Sequence, residues 1–211
     1  SPSVIVCDTI CIGGSRTLTD APSGGTWSSS DPGIATVGSL SGVVTGIAMG
    51  HAFISYTLTD GCSARDSVNI FAPPAPIAGP SSVCVGLSIT LTDPTFGGVW
   101  SSGSPAIALI GTSTGIVGGA APGLSLIKYT MPTGCFASKV VTVNSTPGTI
   151  TGATHVCVGA TTTLSDAVPG GTWTSSAPGT ATIGATTGLV TGVVPGVVTI
   201  TYSAGAGCST T

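Results

Sequence analysis

The chain has 211 residues, of which only 5% are charged, against about 25% in an average soluble domain, and its net charge of −3 offers no basic patch for a nucleic-acid partner. It contains no Glu and no Gln, so good helix formers are scarce, and β-branched runs broken by Gly and Pro indicate an all-β chain of many short strands. No apolar run approaches the roughly 20 residues of a membrane span, no signal peptide is apparent, and the first residue is Ser rather than Met, which fits a processed product or part of a longer polypeptide.

In chain order, strands are expected near Val4–Cys7, Arg16–Asp20, Thr26–Ser29, Ala35–Val37, Val43–Ile47, Ala52–Leu58 and Ser67–Phe71. Seven strands suit a two-sheet sandwich. In "HAFISYTL", Ala52, Ile54, Tyr56 and Leu58 alternate with Phe53, Ser55 and Thr57, a period of two that turns one set inward. The Gly-Gly before Trp27 and the Gly that precedes "VVTG" mark turns, where positive φ is cheap only for Gly.

The same pattern then recurs twice. Trp27, Trp100 and Trp173 are 73 residues apart each time, as are Tyr56, Tyr129 and Tyr202, with no insertion or deletion between copies. A fixed period is the mark of a repeat architecture. The units run 1–73, 74–146 and 147–211, joined at the proline-bearing stretches "FAPPAP" and "NSTPGT"; such joints are short and stiff, which predicts an end-to-end arrangement.

Six of the seven cysteines follow the repeat. Cys11, Cys84 and Cys157 occupy an early segment, and Cys62, Cys135 and Cys208 a late loop 51 residues on. If each unit folds alone, the simplest scheme pairs Cys11–Cys62, Cys84–Cys135 and Cys157–Cys208, and cross-links of this kind imply an oxidising compartment. Zinc is the competing reading, but close Cys or His pairs are absent. Cys7 aligns with Pro80 and Ala153, so it stands outside the framework; a free thiol and an intermolecular bond are the two readings of such an odd cysteine.

The order "VCVGATTTL…GGTWTSSAPGTATIGATTGLVTGVVPGVVTITYSAGAGC" resembles the second group of bacterial immunoglobulin-like domains, the modules of intimin- and invasin-like surface proteins, over nearly all of the chain. The resemblance implies three tandem immunoglobulin-like β-sandwiches and an extracellular structural or adhesive repeat at the bacterial cell surface. Family members commonly lack the cysteines, so this chain is a disulfide-containing variant.

The recurring side chains have blander and sharper readings. Trp27, Trp100 and Trp173 with Tyr56, Tyr129 and Tyr202 are expected in the core; sugar-stacking platforms are the alternative. Asp20, Asp93 and Asp166 recur at strand ends and fit turn capping better than calcium, which wants several oxygens. His51 aligns with Leu124 and Val197, and His155 with Thr9 and Ser82, so nothing orients a base and an enzyme is not expected. No cofactor or metal is implied. Partners reduce to self, as a head-to-tail homopolymer or a continuing array, and to a glycan or host-surface ligand; the uniform loops favour a structural filament or stalk over a binding surface.

Three full units need 219 residues, eight more than the chain carries. The third unit therefore lacks the stretch matching "DSVNIFAP", and its open edge invites a strand. The N-terminal "SVIVC" resembles "SVNIF" (Ser67 to Phe71). Val4, Ile5 and Val6 of one copy are thus expected to fill the groove of the next, unless the polypeptide continues past Thr211 and supplies its own strand.

Overall fold

The computed structural model of the chain describes residues 9–19, 23–205 and 207–211. Among them every regular element is a β-strand, and no helix is long and apolar enough to cross a membrane. The first repeat carries β1 (Thr9–Cys11), β2 (Ser15–Thr17), β3 (Thr26–Ser29), β4 (Ala35–Val37), β5 (Val43–Gly46), β6 (Gly50–Thr57) and β7 (Ser63–Phe71). Each returns 73 residues later: β8 (Ser82–Cys84), β9 (Ser88–Thr90), β10 (Val99–Ser102), β11 (Ala108–Ile110), β12 (Ile116–Gly119), β13 (Gly123–Thr130) and β14 (Phe136–Asn144). The third set is β15 (Thr161–Thr163), β16 (Thr172–Ser175), β17 (Ala181–Ile183), β18 (Leu189–Gly192), β19 (Ile200–Ser203) and β20 (Ser209–Thr210). The tandem repeat seen in the sequence is thus a repeat of strands.

The first repeat forms two sheets, β1-β7-β6-β3 and β2-β5-β4. All their pairings are antiparallel except β1 with β7, which run parallel with Thr9 opposite Asn69 and Cys11 opposite Phe71. Inward residues of both sheets, among them Trp27, Ala35, Val44, Ile54, Val68 and Ile70, make one buried cluster. Along β6 burial alternates, with Ala52, Ile54 and Tyr56 in and Phe53 out, as a half-buried strand requires. The second repeat keeps the same orders, β8-β14-β13-β10 and β9-β12-β11.

The strand boundaries differ from the sequence reading in five places; β5 ends at Gly46 rather than Ile47, and β6 is Gly50–Thr57 rather than Ala52–Leu58. The strand expected at Arg16–Asp20 is the shorter Ser15–Thr17, and β7 starts four residues early, at Ser63, because the β6–β7 hairpin stays paired to its tip, Thr57 opposite Ser63. A strand at Thr9–Cys11 was not foreseen: three residues before a Gly-Gly turn carry too little periodicity to be read. The strand expected at Val4–Cys7, and with it Val4, Ile5, Val6 and Cys7, lies outside the described residues, as does Asp20.

The chain gathers into two compact units whose limits do not follow the period. One comprises Ser1–Ile77, Asp93–Val99 and Tyr129–Ala137; the other comprises Ala78–Thr92, Trp100–Lys128 and Ser138–Thr211.

Candidate functional site: an open slot in the third repeat

The conserved spacing of Gly-Gly, Trp and Tyr within the chain builds a fixed frame. Trp27 on β3 stands opposite Tyr56 on β6, ring centroids 4.7 Å apart, and Trp173 on β16 opposite Tyr202 on β19 at 4.5 Å. All six of the recurring Trp and Tyr side chains are buried, each less than a tenth exposed. The tyrosine hydroxyl reaches the Gly-Gly turn: the amide of Gly25 donates to Tyr56 Oη at 2.8 Å, that of Gly98 to Tyr129 Oη at 3.0 Å and that of Gly171 to Tyr202 Oη at 2.8 Å. Tyr129 Oη in turn donates to the Thr95 carbonyl at 2.7 Å, and Tyr202 Oη to the Val168 carbonyl. The two glycines of the turn have different reasons. Gly97 has φ +93°, whereas a Cβ on Gly98 would lie 2.5 Å from Tyr129 Cζ.

Asp93 and Asp166 cap turns, accepting from the amides of Thr95 and Val168 at 2.8 Å. Among the described residues no group of three or more His, Cys, Asp or Glu side chains converges as a metal site. His51 lies exposed on β6, its ring edge-on to Phe53 at 6.0 Å.

The disulfides correct the sequence reading. The bonds are Cys11–Cys135, inside the first compact unit, and Cys84–Cys208, inside the second; each joins the early cysteine of one repeat to the late-loop cysteine of the next, 124 residues on. The pairs Cys11–Cys62, Cys84–Cys135 and Cys157–Cys208 are not formed, and Cys62 and Cys157 are exposed free thiols. The reason lies in the parallel pairing of β1 with β7. Cys11 stands opposite Phe71 at the end of β7, while Cys62 precedes its first residue. Nine residues of strand, roughly 30 Å, separate the two, far beyond the Cα reach of about 7 Å for a disulfide. Phe71 O instead lies 3.8 Å from Cys135 Sγ, and the bonded Cα atoms are 5.6 Å apart.

The third repeat departs from the other two in one sheet. The counterpart of β1-β7-β6-β3 is only β20-β19-β16. In the first repeat β7 lies between β1 and β6, pairing through Asn69–Phe71 on one side and through Ser63–Ile70 on the other. The third repeat offers only Ser209 and Thr210 at that place. Both flanks change accordingly: His155–Cys157, the counterpart of β1, is not a strand, and β19 begins at Ile200 where β6 and β13 begin four residues earlier in the register. Between them opens a groove of about 650 Å³, lined by Val156, Val158, Val190, Val198 and Ile200 among others.

Core positions are uncovered along this slot. Ile54 and Ile127 are 0% exposed, and Ala52 and Ser125 1%; their counterparts Ile200 and Val198 are half-buried. Val156, counterpart of the buried Ile10 and Val83, is half-buried too. A parallel bridge, Val158 to Gly192, still fixes the outer flank. The slot lies where residues matching Asp66–Phe71 would fall, beyond Thr211. Its two-sided character follows from the parallel β1–β7 pairing, which periodicity does not reveal.

The fold and slot define an all-β tandem-repeat sandwich. No protein-family model matches the sequence, and no curated protein matches it. Solved structures similar to the chain include domains 4 and 5 of the S-layer protein SbsC, at 24% identity over 62% of this chain and 82% of that one, with a TM-score of 0.29. The C-terminal 282-residue fragment of intimin, solved in complex with the intimin-binding domain of the translocated intimin receptor, is 17% identical over 70% of this chain and 67% of that one, TM-score 0.40. Mouse cadherin-23 EC22-24 is 14% identical over 99% and 95%, TM-score 0.28.

Proposed function

We propose that the chain is a structural segment of an extracellular filament or stalk at a bacterial cell surface, built from group 2 bacterial immunoglobulin-like repeats 1–73, 74–146 and 147–211. The observation that carries this reading is the staggered linkage of the repeats: Cys11–Cys135 and Cys84–Cys208 each tie one repeat to the next.

The two disulfides support an oxidising, extracellular setting, since cross-links of this kind persist there. They also tie consecutive repeats together, as a load-bearing stalk needs. No catalytic role is proposed, because the two His residues occupy unrelated repeat positions and nothing orients them as a base. Force spectroscopy of the oxidised and the reduced chain tests this reading. A longer extension on unfolding is expected after reduction, because the two bonds shield the residues between their cysteines; equal extension in both states would show that the bonds carry no load.

A further inference from the structure

We propose that the outward face of β6 and β7 in the first repeat binds a carboxylated sugar, with Arg65 receiving the carboxylate. The inference goes beyond the stalk reading and does not depend on it. The β6–β7 register sets His51 opposite Asn69, Phe53 opposite Ser67 and Ser55 opposite Arg65. These side chains alternate with the buried Ala52, Ile54, Val68 and Ile70, so they share the solvent side of the sheet. His51, Phe53, Arg65 and Asn69 are exposed there, and all belong to the first compact unit.

Phe53 organises the cluster. Arg65 Cζ lies 4.7 Å from the centroid of its ring, and the His51 ring stands edge-on to it at 6.0 Å. The strand beneath is held in turn: the Phe53 amide donates to Ser30 Oγ, and the Ser30 amide to the Phe53 carbonyl, both at 2.9 Å. A guanidinium stacked on a ring is fixed in one plane and presents its N–H groups along that plane, the fork that a carboxylate meets with both oxygens. Among the described residues, no outward position of β1, β3, β6 or β7 is an Asp, so the sheet supplies no carboxylate of its own to this cation.

The cluster belongs to the first repeat alone. At the places of His51, Phe53 and Arg65 the second repeat has Leu124, Leu126 and Ser138, and the third has Val197, Thr199 and Thr211. The sandwich therefore does not require these side chains. In a chain with four Lys and Arg in all, a cation stacked on an exposed ring marks a recognition surface. The ligand class follows from the same residues. Arg65 supplies one permanent positive charge, which matches a single carboxylate better than a phosphate near two charges or a run of acidic residues. Ser55, Ser67 and Asn69 beside it offer hydroxyl and amide groups, donors and acceptors at once, which suit the hydroxyls of a sugar ring.

The test is a 15N–1H NMR titration of the whole oxidised chain with two carboxylated sugars, sialyllactose and a tetrasaccharide of alternating glucuronic acid and N-acetylglucosamine. Saturable shifts of the Arg65 side-chain N–H and of the Phe53, Ser67 and Asn69 amides are expected with at least one of them. Its uncharged match, lactose or the tetrasaccharide with its carboxyls reduced to alcohols, should bind at least about tenfold more weakly, as loss of a charge-assisted pair requires. Arg65→Ser and Phe53→Leu each introduce the residue type that the second repeat carries at the matching place, so both should keep the urea midpoint. Arg65→Ser should weaken binding about tenfold and Phe53→Leu about threefold, the worth of an exposed cation–π contact. No saturable shift with either acidic sugar, or unchanged affinity in Arg65→Ser, would overturn the proposal. Equal affinity for the uncharged sugar, for inorganic phosphate or for a tetra-aspartate peptide would overturn it as well.

Discussion

Each repeat is held by a contact that its composition makes easy to overlook, a tyrosine hydroxyl hooked onto a Gly-Gly turn. Gly98 has the Tyr129 ring where a Cβ would be, 2.5 Å from Cζ. Gly98→Ala is therefore expected to cost about 1–3 kcal/mol through overpacking. Gly118→Ala, where no atom lies within 4 Å of the added Cβ, should stay within about 0.5 kcal/mol. Tyr129→Phe removes the acceptor of the Gly98 amide and the donor to the Thr95 carbonyl. Two backbone groups are left without that partner, at a cost of about 1–3 kcal/mol. Urea unfolding of the three variants checks the order.

At the scale of strands, the parallel pairing of β1 with β7 decides both the disulfides and the slot. Non-reducing peptide mapping should recover Cys11–Cys135 and Cys84–Cys208, and recovery of Cys11–Cys62 would contradict the topology. Loss of the first bond in Cys135→Ser, which opens a loop of 124 residues' separation, should lower stability by about 5 kcal/mol in the chain-entropy model. The slot makes a further prediction for hydrogen exchange. Amides of residues 155–157 and 196–199 should exchange quickly in the isolated chain, and those of β8 and β13, their paired counterparts, slowly.

Much of this level was legible in the sequence and one part was not. β3 and β4 lie where the Trp and the "ATV" motif place them, because Gly turns and alternating burial mark both ends of such strands. The disulfide pairing was misread because it was argued from the independence of units, whereas it depends on which end of β7 each cysteine meets. That information resides in β1, three residues long and without a periodic signature.

For the whole molecule, a chain with 5% charged residues and exposed apolar side chains such as Leu40, Phe96 and Val197 suits a surface that neighbours cover. Staggered disulfides tie each repeat covalently to the next. The most direct measurement is a crystal structure of the oxidised chain. Bonds from the early cysteine of one repeat to the late-loop cysteine of the next, Cys11–Cys135 and Cys84–Cys208, are predicted. Bonds closed within single repeats would contradict the account.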